Sequence, residues 1–217
     1  MTISELEQIT INPGIAFILG LIYPLYKTGQ SNDMETFIKG CINYNAITEE
    51  ELANHFKLVM NFLEQSNIRN IDLKANKQPD FSISKKKGFS VIIWKENKSD
   101  KICMDILTKK VLEIKKSDNI EVKKAFARGC FDGRSSFDTT MHFLALDTDR
   151  IYSRQDLIKS IFEQLKIDLN LNRREINHPK NDQLRIKPKY LSKFLNEVGL
   201  FSKQRAEKIQ HFLSLGE

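Results

Sequence analysis

A short apolar segment with a central glycine occurs twice in the chain. The first copy is Ala16-Phe17-Ile18-Leu19-Gly20, followed by Leu21-Ile22-Tyr23-Pro24-Leu25. The second is Ala125-Phe126-Ala127-Arg128-Gly129, followed by Cys130-Phe131-Asp132-Gly133-Arg134. Each stands near the start of one half of the 217 residues. Glycine inside a helix costs about 1 kcal/mol relative to alanine. Two such costs at equivalent places predict two helix backbones that must approach closely. A chance match of five positions is the alternative at this stage.

The rest of the chain repeats a plan around these segments. Asn12 before Pro13 is an N-cap with proline at the first helical position, and the first glycine helix then runs to Tyr23. Thr36–Tyr44 reads as a strand. Thr48 and Glu51 form a capping box, followed by Leu52, Phe56, Val59, Met60 and Leu63 at helical spacing. Ile71–Asn76 alternates as a half-buried strand. Phe81–Lys85 and Phe89–Trp94 read as strands broken at Lys86-Lys87-Gly88, and Ile102–Ile114 as a helix. A polar stretch ending at Asn119 links the halves.

In the second half Ile120–Phe131 is the glycine helix. Ser136–Asp147 is strand with a tight hairpin near Thr139-Thr140. Ser153 and Asp156 resemble a capping box, with Leu157, Ile158, Ile161, Phe162 and Leu165 behind it. Ile167–Asn172 and Gln183–Lys187 are strands separated by a turn at His178–Asp182, and helices start at Pro188 and Ser202. Alternation places Leu169, Leu171, Leu184 and Ile186 on one sheet face, opposite Asn170, Asn172, Arg174, Arg185 and Lys187. Lys74, Asn76 and Lys85 take the equivalent places in the first half.

Lysine and arginine exceed aspartate and glutamate by 34 to 28, a net charge of +6. That balance favours an anionic partner, with an ordinary lysine-rich surface as the alternative. Asparagine and arginine can pair with base edges, and lysine and arginine neutralise phosphates. The longest apolar run, Ile15–Tyr26, is shorter than the roughly 18–20 residues a membrane span needs. No basic region followed by an apolar run marks the N-terminus. Cys41, Cys103 and Cys130 are isolated, which fits a reducing, cytoplasmic compartment. His55, His142, His178 and His211 share no metal-ligand spacing. No phosphate-binding loop, dinucleotide fingerprint or nucleophile elbow is present.

Gly129-Cys130-Phe131-Asp132-Gly133-Arg134-Ser135-Ser136 resembles the helix end of the LAGLIDADG homing-endonuclease family, Gly-Phe-Phe-Asp-Gly-Asp-Gly-Ser. Gly20–Leu25 matches at fewer positions, and the order of elements matches to about Ile209. The resemblance implies an α+β fold: a pseudo-twofold αββαββα duplication with halves at 1–115 and 120–217. Two curved antiparallel sheets would form a saddle over double-stranded DNA, in a monomer with internal symmetry. In the family, the last acidic residue of each motif binds a divalent metal beside the scissile phosphates. Leu25 and Arg134 occupy those positions here, and neither supplies the oxygen ligand that Mg²⁺ requires.

The expectation is therefore a DNA-binding protein with no cofactor and no cleavage activity of its own, a regulator or the recognition part of a larger complex. Its candidate contacts are Lys74, Asn76, Lys85, Lys87, Arg134, Ser136, Asn170, Asn172, Arg174, Arg185 and Lys187. One alternative is a Mg²⁺-dependent endonuclease using the displaced carboxylates Asp132 and Asp138. Another is a protein-interaction module on the same fold. Against the catalytic role, Asp132 is read first as closing its helix end.

Overall fold

A computed structural model of the chain describes residues 2–25, 27–30, 36–45, 49–67, 72–75, 86–94, 99–140, 142–175 and 181–215. The expected capping-box residue Thr48, the strand Phe81–Lys85 and residues 178–180 of the expected turn lie outside these residues, as do Asn76 and Lys85, while Asp182 of that turn begins β8. In chain order the elements are α1 (Ile3–Gln8), α2 (Pro13–Ile22), β1 (Lys27–Gln30), β2 (Thr36–Asn45), α3 (Glu49–Gln65), β3 (Asp72–Ala75), β4 (Lys86–Trp94) and α4 (Asp100–Lys116). They continue as α5 (Ile120–Arg134), β5 (Ser135–Asp138), β6 (Phe143–Thr148), α6 (Tyr152–Gln164), β7 (Leu169–Asn172), β8 (Asp182–Ile186), α7 (Pro188–Glu197) and α8 (Lys203–Ser214).

The α2 helix starts as its sequence dictates. The Asn12 side chain accepts the Ile15 N–H, and Pro13 supplies a first residue with no N–H to satisfy. Every residue from Gly14 to Ile22 is buried. A helix apolar on all sides needs neighbours on all sides, and α5 is the nearest. A Cβ added to Gly20 would lie 2.2 Å from the Phe126 carbonyl oxygen, and one on Gly129 would lie 2.1 Å from that of Phe17. The contact is reciprocal: each glycine faces the carbonyl three residues before the other. The two backbones touch, which only glycine permits.

Around this pair stand two antiparallel sheets with the same strand order, β1-β2-β4-β3 and β5-β6-β8-β7. In the second sheet Leu144, Leu146, Leu169, Leu184 and Ile186 are all buried. This is the inward face that alternation predicts. Phe131 of α5 packs edge-on against Phe162 of α6 and Phe194 of α7. A second aromatic group, Phe17, Phe62 and Phe201, joins α2 and α3 to the turn before α8, with ring centroids 5.2–5.7 Å apart.

Several boundaries differ from the sequence reading. The β4 strand runs through Lys86-Lys87-Gly88 without a break, because these residues pair with Asn45, Tyr44 and Asn43. The α5 helix continues past Phe131 to Arg134. Ser153 is not a cap, since α6 begins at Tyr152 after Ile151, without a side-chain cap. The Asp149 carboxylate instead accepts the Ile151 N–H. The α7 helix ends as Gly199, at φ 71°, donates its N–H to the Phe194 carbonyl.

Gly20→Ala and Gly129→Ala test the close approach. Alanine gains about 1 kcal/mol of helix propensity, but its methyl overlaps a carbonyl and overpacking costs about 1–3 kcal/mol or more. Urea unfolding should show a lower midpoint for both variants. An unchanged or raised midpoint would mean that the backbones are not in contact.

Candidate functional site

The outward face of the second sheet is ordered in cross-strand rows. Ser136, Ala145, Arg185 and Asn170 are register partners across all four strands. Asp147, Gln183 and Asn172 form the next row, and Asp138 and Phe143 the one before. Arg185, the residue before the last of β8, therefore sits on an interior strand between Ala145 and Asn170.

Its guanidinium is held from two directions. The Arg185 Cζ lies 4.0 Å from the centroid of the Phe143 ring, a cation–π contact. Arg185 Nε and Nη2 both donate to Gln183 Oε1, at 3.2 and 2.9 Å. Arg174 Nη2 donates to the same oxygen at 3.3 Å. Gln183 Nε2 in turn donates to Asp147 Oδ1 at 3.1 Å. Partial burial and then the Arg174 charge lower the Arg185 pKa, while Asp138 raises it.

The structure brings Ser136, Asn170, Asn172, Arg174 and Arg185 together on this face. Arg174 lies beyond the end of β7 and joins through Gln183. Lys187 is displaced from the expected sheet position: it is the residue before α7, with Nζ 3.5 Å from Asp168. Arg134 ends α5, one residue before β5. Lys74 and Lys87 are strand positions of the first sheet, paired with Ser90 and Tyr44. Gln183, Asp147 and Phe143 were absent from the candidate set. Gln183 has the same strand parity as Arg185 and was legible on that ground. Phe143 and Asp147 become partners only once the β6–β8 register is known.

Asp132 and Asp138, the carboxylates of the endonuclease alternative, stand in different settings. Asp132 is fully buried. Its two carboxylate oxygens accept the backbone N–H groups of Phe201, at 2.8 Å, and Ser202, at 3.1 Å. It thereby fastens the end of α5 to the start of α8. Arg205 of α8 answers by donating from Nη1 to the carbonyls of Phe131 and Asp132, each at 3.0 Å. Asp138 ends β5, and its Oδ1 accepts the Thr140 N–H of the turn that follows.

The ends of α2 and α5 carry Leu25 and Arg134 where a divalent cation would need carboxylates. Asp149, whose N–H donates to the Pro24 carbonyl, already engages its carboxylate with Ile151 and Arg154. These residues do not fit a Mg²⁺ site there. Among the described residues, no group of three metal-ligating side chains could hold a metal ion. Nor is any described helix long and apolar enough to cross a membrane.

No family model and no curated protein matches the sequence. Solved structures do. I-DmoI in complex with DNA and manganese is similar over 88% of this chain and 98% of its own, with a TM-score of 0.54 and 15% identity. Full-length DUF199/WhiA from Thermatoga maritima is similar over 99% of this chain and 65% of its own, at TM-score 0.53 and 14% identity. The N-terminal LAGLIDADG domain of DUF199/WhiA aligns with 91% of this chain and 89% of its own, at TM-score 0.51 and 14% identity. The fold of this chain is thus of the LAGLIDADG type.

The buried Asp132 has a titratable neighbour in His55 of α3, whose Nε2 is 4.0 Å from its Oδ1. Burial, then the Arg205 charge, lowers the His55 pKa to about 3. Burial pushes Asp132 up to about 6, against its backbone hydrogen bonds and the charges of Arg205 and Arg128. From about pH 3 to 6.5 the unfolded chain holds a proton on His55 that the folded chain lacks, so this group makes stability rise with pH. From about pH 4 to 6 the folded chain holds a proton on Asp132 that the unfolded chain has lost, so this one makes stability fall. The two nearly cancel where they overlap. Asp132→Asn should therefore steepen the rise of unfolding free energy from pH 4 to 6 by up to about 1.4 kcal/mol per pH unit. Denaturant titrations across that range check it, and a slope equal to that of the parent would contradict it.

Proposed function

We propose that this chain binds double-stranded DNA, its two halves (1–115 and 120–217) forming a pseudo-twofold saddle, and that it does not cut DNA by itself. The observation that carries the reading is the outward row of Ser136, Arg185 and Asn170, with an arginine set in place at its centre. Asparagine and arginine are the side chains that match adenine and guanine edges. An antiparallel sheet presenting them can enter the major groove. The reciprocal glycine contact and the shared strand order of the two sheets support the pseudo-twofold arrangement. Similar structures of I-DmoI hold DNA, which supports the choice of partner.

The residues at the helix ends support the absence of cleavage. Metal-assisted phosphodiester cleavage needs oxygen ligands beside the scissile group. Leu25 offers none, and Arg134 brings a cation that suits a phosphate directly. Asp132 has spent both oxygens on N–H groups. The protein acts as a regulator or recognition subunit, and DNA binding requires no divalent metal.

Binding to a labelled duplex should be equal in EDTA and in Mg²⁺ and should weaken with salt. About six phosphate contacts give a log–log slope of roughly −5. Plasmid incubated with Mg²⁺ or Mn²⁺ should remain supercoiled. Nicking that disappears in Asp132→Asn would establish the endonuclease alternative. Loss of a protein partner but not of DNA on reversing charge at Arg174, Arg185 and Lys187 would establish the interaction module.

A further inference from the structure

We infer that Arg185 reads a guanine in the major groove, and that Gln183, held by Asp147, is the positioning residue that fixes its angle. This rests on the DNA-binding reading above and adds to it the base and the residues that select it.

Gln183 occupies one edge of the guanidinium, taking Nε and Nη2. Phe143 lies against its plane at 4.0 Å. What remains is the outer end of the fork, Nη1 with the second Nη2 hydrogen, a pair of parallel donors. Among the major-groove edges only guanine offers two acceptors, O6 and N7, to such a pair. Adenine would oppose one donor with its amino group, cytosine offers an amino group, and thymine offers a single acceptor beside a methyl.

A phosphate is the alternative partner for arginine, and two features disfavour it. Carboxylates flank Arg185 on the same face, Asp138 one row before and Asp147 one row after. They repel a phosphate but not a neutral base edge. Arg185 also lies within an interior strand, flanked on both sides by paired strands, whereas Arg173, Arg174 and Lys187 lie past strand ends. Those end positions suit the backbone phosphates on either side of a groove. The role of Gln183 follows from its own satisfaction. Its oxygen accepts from both Arg185 and Arg174, and its nitrogen donates to Asp147. An arginine held by stacking and hydrogen bonds loses less freedom on binding a base than a free one.

The test starts with the full chain and a pool of randomised duplexes, from which bound sequences are selected at fixed salt. In the selected duplex each guanine is replaced in turn by 7-deazaguanine, which removes the N7 acceptor. Affinities are then measured for the parent, R185A, R185K and Q183L. The expected result is one guanine whose replacement weakens parent binding roughly tenfold to a hundredfold. R185A and R185K should erase that penalty while other positions keep theirs. Q183L should shrink it while the other selected positions keep their penalties, a pattern that misfolding would not produce. If R185A keeps the guanine penalty, or weakens binding to all sequences alike, the assignment falls and the DNA-binding reading stands. If the parent binds no duplex at low salt, both fall.

Discussion

The whole architecture hangs on two helix backbones that touch. Gly20 and Gly129 face each other's neighbouring carbonyls at distances no side chain could occupy. A contact this close gives up side-chain burial at its centre and recovers it along the flanks. There Phe17, Ile18 and Leu21 on α2 and Phe126, Ala127 and Cys130 on α5 are all buried. The pair fixes how the two helices lie against each other, and β5 begins directly after α5 ends at Arg134. The outward row headed by Ser136 starts one residue later. The candidate site is therefore joined directly to a helix of the glycine pair.

A second constraint holds the helix end in place. Asp132 is a fully buried carboxylate, and an unsatisfied one would be costly. It is tolerated because two backbone N–H groups and the nearby Arg205 compensate it. Arg128, one turn earlier, donates from Nε to the Val198 carbonyl at 2.8 Å and stacks over Phe201. These contacts bind α5 to the α7–α8 turn. They show how a buried acidic residue near a helix end can serve packing.

Much of this was legible in the sequence, for reasons that can be named. The glycine repeat pointed to a close approach because a glycine inside an apolar helix costs about 1 kcal/mol relative to alanine. The alternation of Leu169, Leu171, Leu184 and Ile186 placed the inner face, because the period of a strand is two. What escaped was whatever depends on register or on distant partners. Asp147 and Gln183 are 36 residues apart and meet only through the β6–β8 pairing. The partners of Asp132 lie 69 and 70 residues further along the chain. The Ser153–Asp156 pattern misled because the spacing of a capping box does not say whether the helix has already begun.

The central claim is a sheet-lined surface that grips duplex DNA without breaking it. Hydroxyl-radical footprinting on both strands of a bound duplex, with and without Mg²⁺, tests it most directly. The account predicts two protected tracts on one side of the duplex, one for each sheet, within about two helical turns, identical in both conditions and with the strands intact between them. Strand breaks appearing between the tracts when Mg²⁺ is present, or a bound duplex with no protection at all, would contradict it.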